Sequence, residues 1–298
     1  MWHNDPAVAS HFDSIGFAGD DADELALFVK RALAEGDQLE VIGAEPGWGG
    51  RYVCWSPGNG VQLWVSVDEQ GNVAAFDPHY AGRSRANITL ERSYDYEQAP
   101  PAGGVFAWVA VGTEQETKAG FDLPAFARFY DMACDYDGNA LVQVAAFCHG
   151  AQAYANEAEY LIDQTSEGEE LKFAVESFIP IGMFDTSGEM PPATARFSGH
   201  ILEAEEVENP ATGGKFWRVL VKTFGMTVDV VAHDEQLEGT PVVGGVLAGS
   251  FWLSALPADG PKTPGRGRFI DANALPPTAP AASPDHDEAK ITITKVGE

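Results

Sequence analysis

The sequence predicts an α+β protein, in which an N-terminal mixed sheet with helices is followed by a small closed β-barrel and a disordered C-terminal tail. Three observations carry this prediction. One amphipathic helix is followed by consecutive hairpins, which is typical of an α+β sheet and not of a doubly wound one. Four β-rich runs lie between residues 193 and 256, and none of them has helical periodicity. Proline, alanine and glycine dominate from residue 258 onward, and such a stretch buries too little apolar surface to offset its ordering entropy.

The N-terminal region is predicted as a strand, a helix and then further strands. Residues 12–19 read as a short strand broken by glycine. Asp21 begins a segment with the spacing of a capping box, and apolar residues then recur at helical spacing until Gly36 ends the run. Asn59 and Gly60 predict a hairpin turn, because both residues tolerate positive φ. The expected strands after the helix cover residues 39–42, 51–55, 61–67 and 73–76.

A similar order is expected to recur after residue 100. Asp122 caps a predicted helix that starts near Pro124, where proline is tolerated in the first turn. Residues 151–163 stay ambiguous, because their alanines and glutamates favour helix while their position between strands favours strand. The predicted strands of this region cover residues 105–111, 140–148 and 171–179.

Length sets the number of domains that we expect. A chain of 298 residues is long for a single core. Within the tail, the run Ile291-Thr-Ile-Thr-Lys-Val296 is strand-like, and such a segment could add to an exposed sheet edge, in this chain or in a partner. The predicted parts are a βαβββ-like α+β region at 1–100, a second α+β region packed on it at 101–190, the barrel at 191–257, and the Pro/Ala-rich tail at 258–298.

The net charge of −27 bears on the possible partners. An acidic excess of this size repels phosphate backbones and anionic lipid, since both gain affinity from Lys and Arg, so we expect neither nucleic acid nor a membrane as partner. The excess favours solubility and attracts basic partners. The N-terminus lacks the basic start and apolar run of a signal peptide, and the three cysteines form no CxxC motif, which fits a reducing compartment. We therefore expect a cytoplasmic protein of bacterial type.

Aromatic side chains are concentrated in the predicted barrel. The region resembles an OB-fold or another small Greek-key barrel, and families with that fold often bind single strands through aromatics over a basic groove. Its four Lys and Arg stand against eight Asp and Glu, a balance of −4, which is the wrong sign for a phosphate channel. We expect most of these rings to face inward. The candidates for contact with a protein partner are Trp217, Phe224 and Trp252.

Residues 12–80 resemble one βαβββ module of the vicinal oxygen chelate (glyoxalase-like) superfamily. The resemblance is carried by the run Phe12-Asp-Ser-Ile-Gly-Phe-Ala-Gly-Asp-Asp21, the helix after it, and Val61-Gln-Leu-Trp-Val65. It implies metal ligands on the first and last strands of each module, and His11 and His79 stand at the matching places. A divalent site needs three or more protein ligands, so we expect no bound metal and no cofactor.

Candidate ligand-binding residues lie in the same N-terminal region. They are Trp48, in a glycine-rich loop that lacks the lysine and threonine of a phosphate loop, together with Trp64, Asp77 and His79. Asp77 and His79 form an acid/base group only if folding brings them together with other acids. Otherwise these acids are ordinary on so acidic a surface. Cys148 and His149 are neighbours on a predicted strand and point to opposite faces, so they are not expected to pair as nucleophile and base.

The sequence thus predicts a non-catalytic cytoplasmic binding or assembly protein that contacts a protein partner or itself, through sheet edges or aromatic side chains. The alternative is a small-molecule-binding protein or a metal-dependent enzyme of the glyoxalase-like type that uses an N-terminal cleft. No catalytic residue is assigned, and nucleic-acid binding by the barrel is a third option that the charge disfavours.

Overall fold

A computed structural model describes residues 11–17, 22–40, 50–95, 102–111, 115–126, 138–166, 173–181 and 191–258. These residues are mostly β-sheet, with two α-helices, α1 at Ala22–Glu35 and α2 at Glu157–Ser166. The strands are β1 Asp37–Glu40, β2 Gly50–Gly58, β3 Val61–Asp68, β4 Val73–Tyr80, β5 Ala86–Asp95, β6 Gly103–Val111, β7 Gln115–Leu123, β8 Asn139–Tyr154, β9 Ser177–Pro180, β10 Thr194–Glu208, β11 Lys215–Thr223, β12 Met226–Ala232, β13 Leu237–Glu238 and β14 Val246–Pro257.

The predicted α+β class is therefore wrong. Within the described stretches, α1 covers one face of a small sheet, α2 packs beside the end of β8, and the long strands pair with one another. The predicted strand at residues 12–19 is also wrong in its described part, which contains a 3-10 helix at Asp13–Ile15. Gly16 ends this turn at a φ of 75°, a conformation that glycine adopts without strain. Most of the helix predicted from Pro124 onward, and the tail after Ala258, lie outside the described residues.

The first four strands form an antiparallel sheet in the order β1-β2-β3-β4. The predicted helix is present as α1, and its apolar face buries Phe28, Val29 and Ala32 against β2 and β3. Gly36 follows the helix at a close approach, since an added Cβ would lie 2.7 Å from Cγ1 of Val53. The predicted hairpin turn between β2 and β3 is also confirmed, with positive φ at Asn59 and the glycine after it.

The other ten strands form one sheet that closes into two rings, and β8 and β14 belong to both. One ring runs β8-β12-β11-β10-β14 and the other runs β8-β5-β6-β7-β14, because β14 pairs back onto β8 in each case. Three of the pairings are parallel, and one of them is the short pairing of β13 with β8. β12 lies beside β8 at residues 145–147, and β7 meets β14 through Asp122 and Ser254. β9 and β13 add to β10 and β8.

The OB-like barrel of residues 193–256 does not close by itself. β12 and β14 are not paired with each other in the described sheet, because β8 lies between them. The ring is thus completed by Asn139–Tyr154, from the region predicted as a second α+β unit. A parallel pairing between strands so far apart in the chain leaves no hairpin signal in the sequence, which is why the barrel prediction missed it.

The two faces of β8 explain how the two sheets pack. Val142, Val144 and Ala146 point into the rings and lie in the larger core. Ala145 and Phe147 point outward, and they share a second core with α1 and the four-stranded sheet. The four-stranded sheet therefore docks on the outer wall of the rings, along β8 and β14. Neither of the described helices is long and apolar enough to cross a membrane.

A glycine pair on the shared strands tests this arrangement. An added Cβ at Gly249 of β14 would lie 2.6 Å from the Cβ of Ala151 on β8, whereas one at Gly150 of β8 would meet nothing within 4 Å. We expect Gly249→Ala to lower the free energy of unfolding in urea by about 1–3 kcal/mol through overpacking. Gly150→Ala, the control, should stay within about 0.5 kcal/mol of the unchanged protein. Equal losses from both changes would contradict the β8–β14 packing.

Candidate functional site

Three of the four predicted ligand-binding residues lie together, on one face of the four-stranded sheet. Trp64 and Asp77 are cross-strand neighbours, and His79 follows two residues along β4 on the same face. This face packs against the rings, and Trp64 is buried there with Tyr52 and Leu256. Trp48 lies outside the described residues. Folding thus assembles the predicted group in a buried sheet–ring interface.

His79 belongs to a buried chain of hydrogen bonds that we call the polar chain: Asp229, Gln143, His79 and Ser254. Its Nδ1 lies 2.8 Å from Oγ of Ser254, and its Nε2 lies 2.9 Å from Oε1 of Gln143. Gln143 donates from Nε2 to Oδ2 of Asp229 at 2.8 Å. All four side chains are buried. The polar chain therefore joins β4 to β14, β8 and β12.

The direction of every hydrogen bond in the polar chain follows from Asp229. A carboxylate only accepts, so Gln143 must present its amide nitrogen to Asp229 and its oxygen to His79. His79 then carries its proton on Nε2, and its Nδ1 accepts from the hydroxyl of Ser254. Burial lowers the pKa of His79 to about 4, although the bond to Gln143 acts in the opposite direction. A neutral His79 completes a chain in which each of these bonds has one donor and one acceptor.

Asp229 also holds the connection between β4 and β5. Its carboxylate accepts from the backbone N–H of Arg83 at 3.0 Å and of Ser84 at 2.7 Å. Gly82 passes so close that an added Cβ would overlap the carboxylate. The connection is therefore pinned against β12 by main-chain hydrogen bonds.

Asp77 faces a second carboxylate, Asp122 of β7, across the same interface. Burial raises the pKa of Asp77 to about 7, and the negative charge of Asp122 adds to the rise. Asp122 accepts a hydrogen bond from the indole N–H of Trp252. Ser254 pairs with Asp122 in register and also bonds His79, so the two acids meet beside the end of the polar chain.

The two histidines that the glyoxalase-like resemblance implies as ligands have different partners. His11 lies with its Nε2 2.9 Å from Nε2 of His149 and stacks on Trp252, whereas His79 is in the polar chain. Burial, and then the neighbouring charge of His149, lowers the pKa of His11 to about 3. Among the described residues no three His, Cys, Asp or Glu side chains are grouped to hold a metal ion.

A cleft of about 540 Å³ opens on the other side of Asp229. Its floor is the outer face of β10, β11 and β12, where Glu203, Leu220 and Asp229 lie opposite one another in register. One wall is the pinned β4–β5 connection with Tyr80 and Arg83. The polar chain thus fixes both the floor and one wall of this cleft.

Two Arg–Glu pairs line the cleft. Arg83 lies 3.0 Å from Glu203, and Nε of Arg218 lies 3.0 Å from Glu205. Arg218 also bonds Tyr80, which lowers the pKa of that phenol, although burial outweighs this and raises it. Both Arg–Glu pairs are partly exposed, and such pairs contribute little stability, so a ligand group can exchange with either member at small cost.

The far rim of the cleft is apolar because of a β-bulge. The register of β10 against β11 shifts between Ile201 and Glu203, so Leu202 has no partner in the ladder. A bulge re-aims a side chain, and Leu202 is 41% exposed here. Val243, in the turn before β14, is 69% exposed and lines the same cleft. Exposed aliphatic side chains beside a cleft are typical of a contact surface.

The strand edge beside this rim is open in the described part of the chain. β14 pairs with β10 only over residues 194–200, and Ile201 then bonds the backbone of Gly244 and Gly245. From residue 203 to 208, β10 pairs with β11 alone. At the end of this stretch the side-chain amide of Asn59 donates to the carbonyl of Glu208 at 2.8 Å. We call residues 203–208 the open edge.

The aromatic residues predicted to contact a partner are not on this surface. Trp252 is buried at 5% exposure in the sheet–ring interface. Trp217 is partly buried and donates to Asp234 at 2.9 Å, and Phe224 packs against the larger core. Sequence reasoning missed Leu202 and Val243, since a bulge is a property of strand pairing. The one signal at Leu202 was the pair Ile201-Leu202 ahead of the acids of β10, since two adjacent apolar residues break the alternation of a strand.

The partly buried acid Asp77 gives a pH test. Asp77 has a folded pKa of about 7 against 3.8 when unfolded, so the stability that it contributes is complete below about 3.8 and is lost as the pH rises through about 7. Asp77→Asn cannot ionise. Its free energy of unfolding should therefore rise relative to the unchanged protein between pH 4 and 7, by at most about 1.4 kcal/mol per pH unit, and the difference should then level off.

Asp68→Asn is the control of opposite sign for the same denaturation series. Asn72 donates to Asp68 from its backbone and side chain, which lowers the pKa of that carboxyl. The stability that ionised Asp68 contributes is therefore present above the pKa of the unfolded state, and it is lost as the pH falls through the lower pKa of the folded state. The position of Asp77 against Asp122 would be contradicted if the difference in free energy of unfolding between Asp77→Asn and the unchanged protein did not vary with pH. It would also be contradicted if that difference varied in the same direction as for Asp68→Asn.

Comparison with known proteins finds no match to this chain among protein-family models, curated proteins or solved structures. A function is therefore inferred from its own residues.

Proposed function

We propose that this protein is a non-catalytic binding protein that holds an extended segment of another polypeptide at the open edge of β10. The observation that carries the proposal is the position of that edge. Residues 203–208 lie beside a cleft of about 540 Å³ whose rim exposes Leu202 and Val243. Of the two docking surfaces expected from the sequence, sheet edges and aromatic side chains, the proposal takes the sheet edge.

Main-chain hydrogen bonding supports strand addition. An edge strand presents N–H and C=O groups that a further strand can satisfy. Peptide-binding domains that use this mode gain affinity from the main chain and specificity from pockets for alternate side chains. The open edge is about six residues long, from Glu203 to Glu208, which is a usual length for a strand.

The apolar rim supports selectivity for one kind of segment. The described residues leave Leu202 41% exposed and Val243 69% exposed, so both side chains can bury further apolar surface when a segment binds. Burying one aliphatic side chain contributes about 1.5 kcal/mol or more, which corresponds to roughly tenfold in affinity. A segment with a large apolar residue at the matching position is therefore favoured.

The charges of β10 support a basic segment. Glutamates stand at positions 203, 205, 206 and 208, and three of them pair with the exposed Arg83 and Lys215 and the partly exposed Arg218. Exposed pairs of this kind exchange partners at little cost. The net charge of −27 for the whole chain further draws a basic partner toward this surface.

A small molecule is the second candidate ligand. The cleft volume of about 540 Å³ lies within the range of about 300–1,000 Å³ that is common for small-ligand sites, and the exposed side chains of Arg83 and Glu203 offer polar groups. A small ligand held by Arg83 would lose affinity in Gly82→Ala, whose added Cβ would displace the Asp229 carboxylate that pins the β4–β5 connection. A segment at the open edge would depend instead on Leu202.

Labelled peptides test the proposed function. We would titrate the full-length protein into a fluorescein-labelled octapeptide with alternating β-branched and polar residues and a lysine at each end, and measure anisotropy. The same peptide with a central proline should bind at least about tenfold more weakly, because proline cannot donate to the ladder. Leu202→Ser should weaken binding of the first peptide about tenfold through lost apolar burial.

Leu27→Ser is the matched control, since Leu27 is 57% exposed on α1 and does not line the cleft. It should leave the affinity unchanged, and both variants should keep the melting temperature of the unchanged protein within a few degrees. Equal affinity for the two peptides, or equal effects of the two leucine changes, would exclude strand addition at β10.

A further inference from the structure

We propose that the open edge is occupied by the chain's own residues 291–296, Ile-Thr-Ile-Thr-Lys-Val, which a partner must displace. The inference rests on the proposed function, because it takes the open edge to be a strand-addition site. It adds the identity of the resident segment and a means of control. Residues 291–296 lie outside the part of the chain that the structure describes.

The first argument is the match between segment and edge. Both contain six residues, 291–296 and 203–208. Isoleucine, threonine and valine fill five of the six positions of the segment, and these are the side chains that favour strands. Its period is two, so Ile291 and Ile293 share one face and can reach the apolar rim together. Few other stretches outside the described sheets combine this length with this propensity.

The second argument is charge. Lys290 precedes the segment and Lys295 is its fifth residue, while β10 carries glutamates at 203, 205, 206 and 208. Opposite charges across a pair of strands contribute roughly 0.2–1 kcal/mol each, and like charges oppose pairing. Arg83, which pairs with Glu203, is 68% exposed, so a lysine can replace it without exposing a buried charge.

The third argument is reach. The described chain ends at Ala258, whose N–H donates to the carbonyl of Leu141 at 3.0 Å. Asp229, on the cleft floor, lies opposite Ala145 of β8, and Ala145 lies opposite Ser254 of β14. Two strand spacings and the four residues from Ser254 to Ala258 thus separate the floor from Ala258, which is at most about 25 Å. The intervening residues 259–290 span up to about 100 Å when extended. A tether raises the local concentration of the segment, which favours its own chain over a second copy at low protein concentration.

The consequence is a site that is protected until a partner arrives. An unpaired edge is a template for unwanted association, and natural proteins cover such edges. A resident segment that pairs through six residues covers this one reversibly. The apparent affinity of a partner is then its affinity for the free edge multiplied by the fraction of molecules in which the edge is free.

Hydrogen exchange on the full-length protein tests the inference. The amides of residues 203–208 that point away from β11 should exchange at least about tenfold faster in Ile293→Pro than in the unchanged chain, because proline removes a ladder donor from the segment. Ala282→Pro, placed where prolines are already frequent, should leave exchange unchanged. The synthetic peptide Lys-Ile-Thr-Ile-Thr-Lys-Val-Gly, added to Ile293→Pro, should restore the slow exchange.

The outcomes separate this inference from the proposed function. If Ile293→Pro leaves exchange at 203–208 unchanged while the labelled octapeptide still binds in a Leu202-dependent way, the resident segment is wrong and the proposed function stands. If no peptide binds or protects the edge in any variant, both fail. If the protection grows with protein concentration and light scattering gives twice the chain mass, the occupant belongs to a second copy, and the proposal of the chain's own segment is overturned.

Discussion

The polar chain from Asp229 through Gln143 and His79 to Ser254 is the constraint on which the remaining structure depends. It joins the four-stranded sheet to three strands of the rings through side chains that are all buried. A buried polar group without its partner costs about 1–3 kcal/mol, so any other register of the docked sheet would leave several such groups unsatisfied. Apolar packing around Phe147 and Trp252 supplies attraction between the layers, and the polar chain selects the orientation.

The same constraint shapes the cleft. Asp229 holds Arg83 and Ser84 by their backbone amides, and this places the wall that faces β10. The open edge has a separate origin, which is the length of the strands. β10 runs from Thr194 to Glu208, but β14 begins at Val246 and covers it only to residue 200. The bulge at Leu202 marks the place where pairing on that side ends. An extended segment would thus continue a sheet that β14 leaves incomplete.

The sequence predicted the parts of this fold that depend on local patterns. Helix α1 follows from apolar residues at helical spacing, and the turn at Asn59 follows from the residue types that tolerate positive φ. The class was wrong because strands dominate the described residues, with only two helices. The closure of the rings was missed because the parallel pairings of β12 with β8 and of β7 with β14 join strands that are distant in the chain. Asp77 and His79, which the sequence analysis singled out, lie on one face of β4, but no local pattern indicates that this face packs against the rings. Leu202 was missed because its exposure results from a register shift.

The protonation of His79 tests the central claim most directly. We would record nitrogen-15 chemical shifts of its imidazole by NMR between pH 4 and 8 in the full-length protein. The polar chain predicts a neutral ring with its proton on Nε2 down to about pH 5, since burial lowers the pKa to about 4. A ring that titrates near 6.5, or one that carries its proton on Nδ1, would show that Asp229 does not set the direction of the bonds and that the sheet is held to the rings in another way.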